Sequence, residues 1–232
     1  MVALDFDNLA EACALTRKLQ GATGFVKVGS RLFTAEGPRA VEKLAGSGVE
    51  IFLDLKFHDI PNTVAGAVAA AADLPRVRLL TLHASGGLAM MRAAREALAG
   101  RKKRPALLGV TVLTSLDAAS MRRMGIRGSL GSHAVALARL AKEAGLDGAV
   151  ASAHEVRAIR RACGPRFLIL VPAVRPARAS LNDQSRVATP AEATRAGANY
   201  LVVGRPVTAA ENPRRAALAI LNEVASASRS AR

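Results

Sequence analysis

Short runs rich in β-branched and aliphatic residues recur along the chain, each followed by a longer Ala/Leu/Arg segment whose apolar positions repeat with helical period. The runs predict strands at 2–5, 25–28, 51–56, 79–83, 107–112, 148–151, 167–171 and 200–203. The segments between and after them predict helices at about 8–20, 31–45, 63–74, 88–98, 132–144, 154–162, 190–196 and 213–224. Asn8 and Ser152 stand where helices should open, and Gly21, Gly46, Gly100 and Gly197 stand just beyond helix ends. Eight strand–helix units, with no composition break and no Pro/Ser-rich linker, predict one α/β domain over residues 1–232, a single (β/α)8 TIM barrel. A doubly wound open sheet is the alternative. It calls for a G-x-G-x-x-G turn after the first strand, and Asp5-Phe6-Asp7-Asn8 offers none. The small, polar tail 225–232 is expected to fray.

Composition narrows the class. The chain is 50% hydrophobic with 19 Gly, 10 Pro and 2 Cys, which excludes collagenous, disulfide-stapled and wholly disordered proteins. Cys13 and Cys163 lie in no metal-ligand spacing and are expected to be reduced, buried thiols. No uncharged apolar stretch is long enough to span a membrane, and no basic segment precedes an apolar one at Met1, so a cytoplasmic protein without membrane contact is expected. The net charge of +15 raises nucleic-acid binding as an alternative. Seven lysines and 26 arginines supply the cations, however, and they are scattered over nearly every helical segment. The densest run, Arg101-Lys102-Lys103-Arg104, falls where a solvated turn is expected, and one Tyr with no Trp leaves few stacking platforms. An Arg-biased surface that takes no nucleic-acid partner is the better reading.

In a parallel barrel, chemistry collects where strands give way to loops at the C-terminal face. Polar residues stand at most of these ends: Asp5, Lys27, Asp54 and Lys56, His83, Thr114, Arg175, and Gly204 with Arg205. Alternation along 51–56 puts Phe52, Asp54 and Lys56 on one face and Ile51, Leu53 and Leu55 on the other. With the apolar triplet against the helices, Asp54 and Lys56 point into the barrel mouth within reach of Lys27. Charges there need partners, so an alternating Lys/Asp network is expected, with Lys56 placed as a general acid. The same network reads equally well as a salt-bridge plug. Gly204 allows close backbone approach to a ligand, and Arg205 offers a fork for phosphate at a place where barrels of this class often bind it. The segment 175–189 is long and lacks helical period, and reads either as a lid or as disorder.

The run Asp54-Leu55-Lys56-Phe57-His58-Asp59-Ile60-Pro61-Asn62-Thr63 resembles the signature of the orotidine 5′-phosphate decarboxylases. Val2-Ala3-Leu4-Asp5, Val26-Lys27-Val28-Gly29, His83-Ala84-Ser85-Gly86-Gly87, Val110-Thr111-Val112-Leu113-Thr114-Ser115 and Val202-Val203-Gly204-Arg205-Pro206-Val207-Thr208 are similar to the family's other blocks, in order and over essentially the whole chain. The Asp-x-Lys-x-x-Asp block alone is shared with a wider decarboxylase and aldolase superfamily. Lys27 and the Gly-Arg end make the resemblance specific. It implies decarboxylation of orotidine 5′-phosphate to UMP and CO₂, the last step of de novo UMP synthesis, by a homodimer that uses no metal and no cofactor. It further implies that Asp5 binds the ribose or pyrimidine side and that Lys27, Asp54, Lys56 and Asp59 form the charged array. Asp59, Ile60 and Thr63 would serve the neighbouring subunit's site. Thr114 would contact the substrate, Arg175 and Gln184 would belong to a phosphate-gripping loop, and Gly204 with Arg205 would complete the phosphate site. Lys56 would stabilise and then protonate the anion left at C6, with Asp54 near the departing carboxylate.

One position departs from the family pattern, and another separates this chain from its metal-dependent relatives. Val171-Pro172-Ala173-Val174-Arg175-Pro176 stands where the family usually reads Thr-Pro-Gly-Ile-Arg-Pro, so Ala173 replaces a glycine. The magnesium-dependent 3-keto-gulonate-phosphate decarboxylases and hexulose-phosphate synthases of the same superfamily carry an acidic residue where this chain has Lys27, and a cation there opposes a divalent metal.

Overall fold

Alternation within the strands decides which side chains meet at the centre and which meet the helices. The computed structural model describes residues 1–176 and 188–229. Among them, eight strands lie parallel in sequence order: β1 (Val2–Ala3), β2 (Phe25–Gly29), β3 (Glu50–Phe57), β4 (Val77–His83), β5 (Ala106–Val110), β6 (Gly148–Val150), β7 (Leu168–Val171) and β8 (Tyr200–Leu201). Just beyond β8, Val203 bridges Val2 in parallel, with the Ala3 N–H donating to the Val203 carbonyl at 2.9 Å and the Val203 N–H to the Met1 carbonyl at 3.0 Å. The sheet therefore joins its own first strand, as the predicted barrel requires.

Ala3, Phe52, Leu79, Leu108, Val110, Val150, Leu170 and Val202 fill the barrel interior as one cluster. Their neighbours in the strands, such as Val26, Val28, Ile51, Leu53, Leu80 and Leu82, belong to a second core shared with the helices. Along the chain these helices are α1 (Leu9–Lys18), α2 (Ser30–Glu36), α3 (Pro38–Ala45), α4 (Pro61–Ala72), α5 (Gly87–Glu96), α6 (Ala118–Arg123), α7 (Leu130–Glu143), α8 (Val156–Cys163), α9 (Pro190–Ala196), α10 (Arg205–Thr208) and α11 (Pro213–Arg229). Asn8 caps α1 as expected, its side-chain oxygen accepting from the Glu11 N–H at 3.0 Å.

Several boundaries differ from the periodicity. The helix predicted over 31–45 is two helices, because Gly37 takes φ 63° and Pro38 opens the second. The short helices α6 and α10 were not expected. Asp117 starts α6 by accepting the Ser120 N–H at 2.7 Å. The terminal stretch expected to fray from 225 is helical to Arg229, with Ala227 buried. Cys163 is buried, whereas Cys13 is only partly so. Among the described residues, no helix is long and apolar enough to cross a membrane.

The basic run also finds partners. Arg101 pairs with Asp73, and Arg104 grips Asp147 through both terminal nitrogens at 2.7 and 2.8 Å. The densest cationic stretch is thus partly consumed by the fold.

Candidate active site

The centre of the site is an irregularity in β3. Phe52 and Leu53 pair with Leu79 and Leu80, but the next partner of β4 is Phe57 against Leu82, so β3 carries two extra residues there. Lys56 lies in this bulge with φ 51°, a conformation that costs a non-glycine residue about 1 kcal/mol or more. The bend keeps Lys56 over the residue two before it: its Nζ donates to Asp54 Oδ2 at 2.8 Å. Lys27 approaches the same oxygen from β2 at 3.9 Å and holds Asp5 Oδ1 at 2.8 Å. Lys27 and Asp54 are nearly buried, with side chains 12% and 11% exposed. Two ammonium groups thus meet two carboxylates at the barrel mouth, and the predicted network exists as geometry.

Small and local features hold it. A Cβ on Gly29 would sit 2.7 Å from Lys27 Nζ and 3.3 Å from Asp5 Oδ1, so the absence of a side chain there leaves room for this pair. Arg31, at the start of α2, forks onto Asp7 and donates to the Asp5 carbonyl at 3.1 Å, fixing the segment that carries Asp5. Thr81, fully buried on β4, accepts the Lys56 N–H at 3.0 Å and donates to Asp54 Oδ1 at 2.8 Å. Neither Arg31 nor Thr81 was a candidate from sequence. For Thr81 the available signal was its parity, since it shares the inward face of Leu79.

A cavity of ≈ 530 Å³ opens above this array. Asp5, Lys27, Asp54 and Lys56 line one side, and Thr114, Arg175, Gly204 and Arg205 also border it. Arg175 is only 6% exposed; burial, and then the nearby charge of Arg205, push its guanidinium below its usual value. Two guanidinium groups whose charges oppose each other favour an anion beside them. Ala173, the residue in the usual glycine position, adopts φ 59°. Val174 bridges Ala188 and the Arg175 N–H donates to the Ala188 carbonyl at 3.0 Å, so the flanks of segment 177–187 are pinned together. Gln184 and most of the loop read as a lid lie outside the described residues.

Asp59, Ile60 and Thr63 do not line the cavity. They sit exposed at and before the start of α4, with Ile60 66% exposed and the Asp59 carboxylate accepting the Ile60 N–H at 2.6 Å. His58 and His83 pack with tilted rings, their centres 5.3 Å apart; burial, then His58 and Lys56, push His83 below its usual value. Among the described residues, no three His, Cys, Asp or Glu side chains form a group able to hold a metal.

Comparison with known proteins bears on this geometry. The model of the "Orotidine 5'-phosphate decarboxylase / HUMPS family" matches residues 1–220. A protein of Nitrosococcus oceani named orotidine 5′-phosphate decarboxylase is 51% identical over 224 residues, 97% of this chain and 96% of its own length. Its namesake in Moorella thermoacetica is 51% identical over 230 residues, 97% and 91% of the two chains. The crystal structure of orotidine 5′-phosphate decarboxylase from Lactobacillus acidophilus superposes with a TM-score of 0.85 at 38% identity, covering 96% of this chain and 97% of that one.

Proposed function

The chain belongs to the orotidine 5′-phosphate decarboxylase / HUMPS family, and from that premise we propose that it converts orotidine 5′-phosphate to UMP and CO₂ without a metal or organic cofactor. The observation that carries this reading is one cavity bordered by Lys27, Asp54 and Lys56 and also by Arg175 and Arg205. A substrate with a carboxylate on its pyrimidine and a phosphate on its ribose needs cationic groups at both ends.

The chemistry follows from that placement. When the C6–carboxylate bond breaks, its electron pair stays in the ring plane at C6, where the π system cannot delocalise it. The Lys56 ammonium stabilises this charge and then transfers its proton to C6, so the site supplies both the electrostatics and the acid. Asp54 holds Lys56 in place and lies beside the departing carboxylate. Arg175, Gly204 and Arg205 take the phosphate, and Gln184 is assigned to the same grip. Binding energy from that remote group helps align the ring over the array. Asp5 receives the ribose or pyrimidine side, and Thr114 borders the same cavity.

Lys27 supports the metal-free reading. Its ammonium already sits between Asp5 and Asp54, so a divalent cation at those carboxylates would face two ammonium groups. We assign the exposed Asp59, Ile60 and Thr63 to the site of a second copy, making a homodimer the active unit. We place the enzyme in the cytoplasm, where the free thiols Cys13 and Cys163 suit reducing conditions. Engagement of Arg101 and Arg104 by carboxylates disfavours a nucleic-acid partner.

Calorimetry with UMP tests the phosphate half of the proposal. Binding is expected, and silence at millimolar UMP contradicts it. Mixing Lys56→Ala with Asp59→Ala tests the shared site. Exchange of subunits should recover turnover that neither variant shows alone; no recovery after exchange removes Asp59 from the neighbour's site.

A further inference from the structure

We infer that Thr81 is a positioning residue for the decarboxylation, acting through Asp54 and Lys56; this rests on the reaction proposed above.

Two extra residues in β3 take the Lys56 backbone out of the regular ladder with β4. Its N–H must then find another acceptor, because a buried orphan donor is costly. Thr81 Oγ1 is that acceptor at 3.0 Å. Since an amide can only donate, the hydroxyl proton of Thr81 is left to donate elsewhere, and Asp54 Oδ1 lies 2.8 Å away. One fully buried hydroxyl therefore joins the strained backbone of Lys56 to the carboxylate that its own side chain contacts.

The carboxylate is divided by this bond. Oδ1 faces Thr81, while Oδ2 faces both lysines, at 2.8 Å for Lys56 and 3.9 Å for Lys27. Rotation of the Asp54 carboxylate would break the Thr81 bond and move the lysine anchor together. Thr81 thus sets the plane of the anion and, through the amide, the point from which the Lys56 side chain departs. Leu79 precedes it on the same inward face and packs the barrel interior, so Thr81 forms the polar step between the apolar filling and the charged mouth. A residue needed only for packing would require no hydroxyl.

The test compares the parent with Thr81→Val, which preserves shape, and Thr81→Ser, which preserves the hydroxyl. Turnover of orotidine 5′-phosphate and affinity for UMP are measured, with a thermal melt to confirm folding. The valine variant should lose about 100-fold in kcat, with KM and UMP affinity within about threefold of the parent, and serine should restore kcat. Should valine not fold, Thr81→Cys carries the test: its weaker donor should give an intermediate kcat, again with KM preserved. A valine kcat within about threefold of the parent overturns the inference, as does an equal loss in serine, or a loss that falls on KM and UMP affinity. A parent that does not decarboxylate the substrate overturns instead the reaction on which the inference rests.

Discussion

β3 carries an ion cluster at each of its ends, and the two are built differently. At its start, Glu50 meets Arg78 through a 2.7 Å bond and Arg76 through a 3.2 Å bond. At the same end of the barrel, before β5 and β6, Asp147 accepts both arms of Arg104 and the Leu107 N–H at 2.8 Å. At its other end, Asp54 meets two lysines, one at 2.8 Å and one at 3.9 Å, and the cluster borders the cavity. The first kind is a planar fork closed on one carboxylate. The second is a set of point charges on flexible stems, crowded around one oxygen and open on one side. Forks tie strands together, while lysines facing a cavity remain available to a ligand. Ion pairs at the entry end are therefore expected to govern stability, and those at the exit end to govern turnover.

The sharpest separation should come from Lys56→Ala. Its kcat should fall by about 10³-fold or more, with UMP affinity and thermal midpoint nearly unchanged. A large drop in melting temperature with modest loss of kcat would make the exit cluster a plug instead. Arg205→Ala comes next: UMP affinity should weaken about 10- to 100-fold, the range of a charged hydrogen bond, with the fold unaltered. Unchanged affinity removes Arg205 from the phosphate site.

Arg104→Met examines the opposite end. Removing one partner of this partly buried pair should destabilise the protein by roughly 1–3 kcal/mol while leaving the kcat of folded enzyme intact. Burial alone would raise the Asp147 carboxyl, but the Arg104 bonds and the Leu107 N–H outweigh it and hold it below its usual range. A carboxylate depressed in this way stabilises the fold fully above its unfolded value, about pH 4, and loses that contribution as pH falls through the folded value. The gap between parent and Arg104→Met should therefore narrow below about pH 4 in denaturant titrations. A gap that stays constant through that range contradicts the assignment. The smallest effect is Ala173→Gly, which should relieve φ 59° and stabilise by about 1 kcal/mol or less. A loss of stability would show that the methyl group contributes more than the strain costs.

How much of this was readable in the sequence follows the same division. Alternation in 51–56 placed Asp54 and Lys56 inside because parity is a property of one strand. The bulge is a mismatch between two strands, so neither the positive φ of Lys56 nor the need for Thr81 could be read from β3 alone. In the sequence Arg31 is only the first residue of a helical period, and its hold on Asp7 and on the Asp5 carbonyl appears only when the first two strands lie side by side. Arg101 and Arg104 looked like free charge because Asp73 and Asp147 are distant along the chain. Gly37-Pro38 is a helix-breaking pair, but it lies inside an apolar period that by itself predicts one helix over 31–45. Asp59, Ile60 and Thr63 came from family resemblance, and a single chain leaves them on an exposed surface.

The decarboxylation proposed for this chain is driven by fixed ammonium groups in a metal-free pocket. It is tested most directly by following the absorbance change of orotidine 5′-phosphate with purified protein in the presence of excess chelator. Full turnover to UMP is expected, at the same rate with and without chelator. Turnover that vanishes on chelation and returns with magnesium would contradict it.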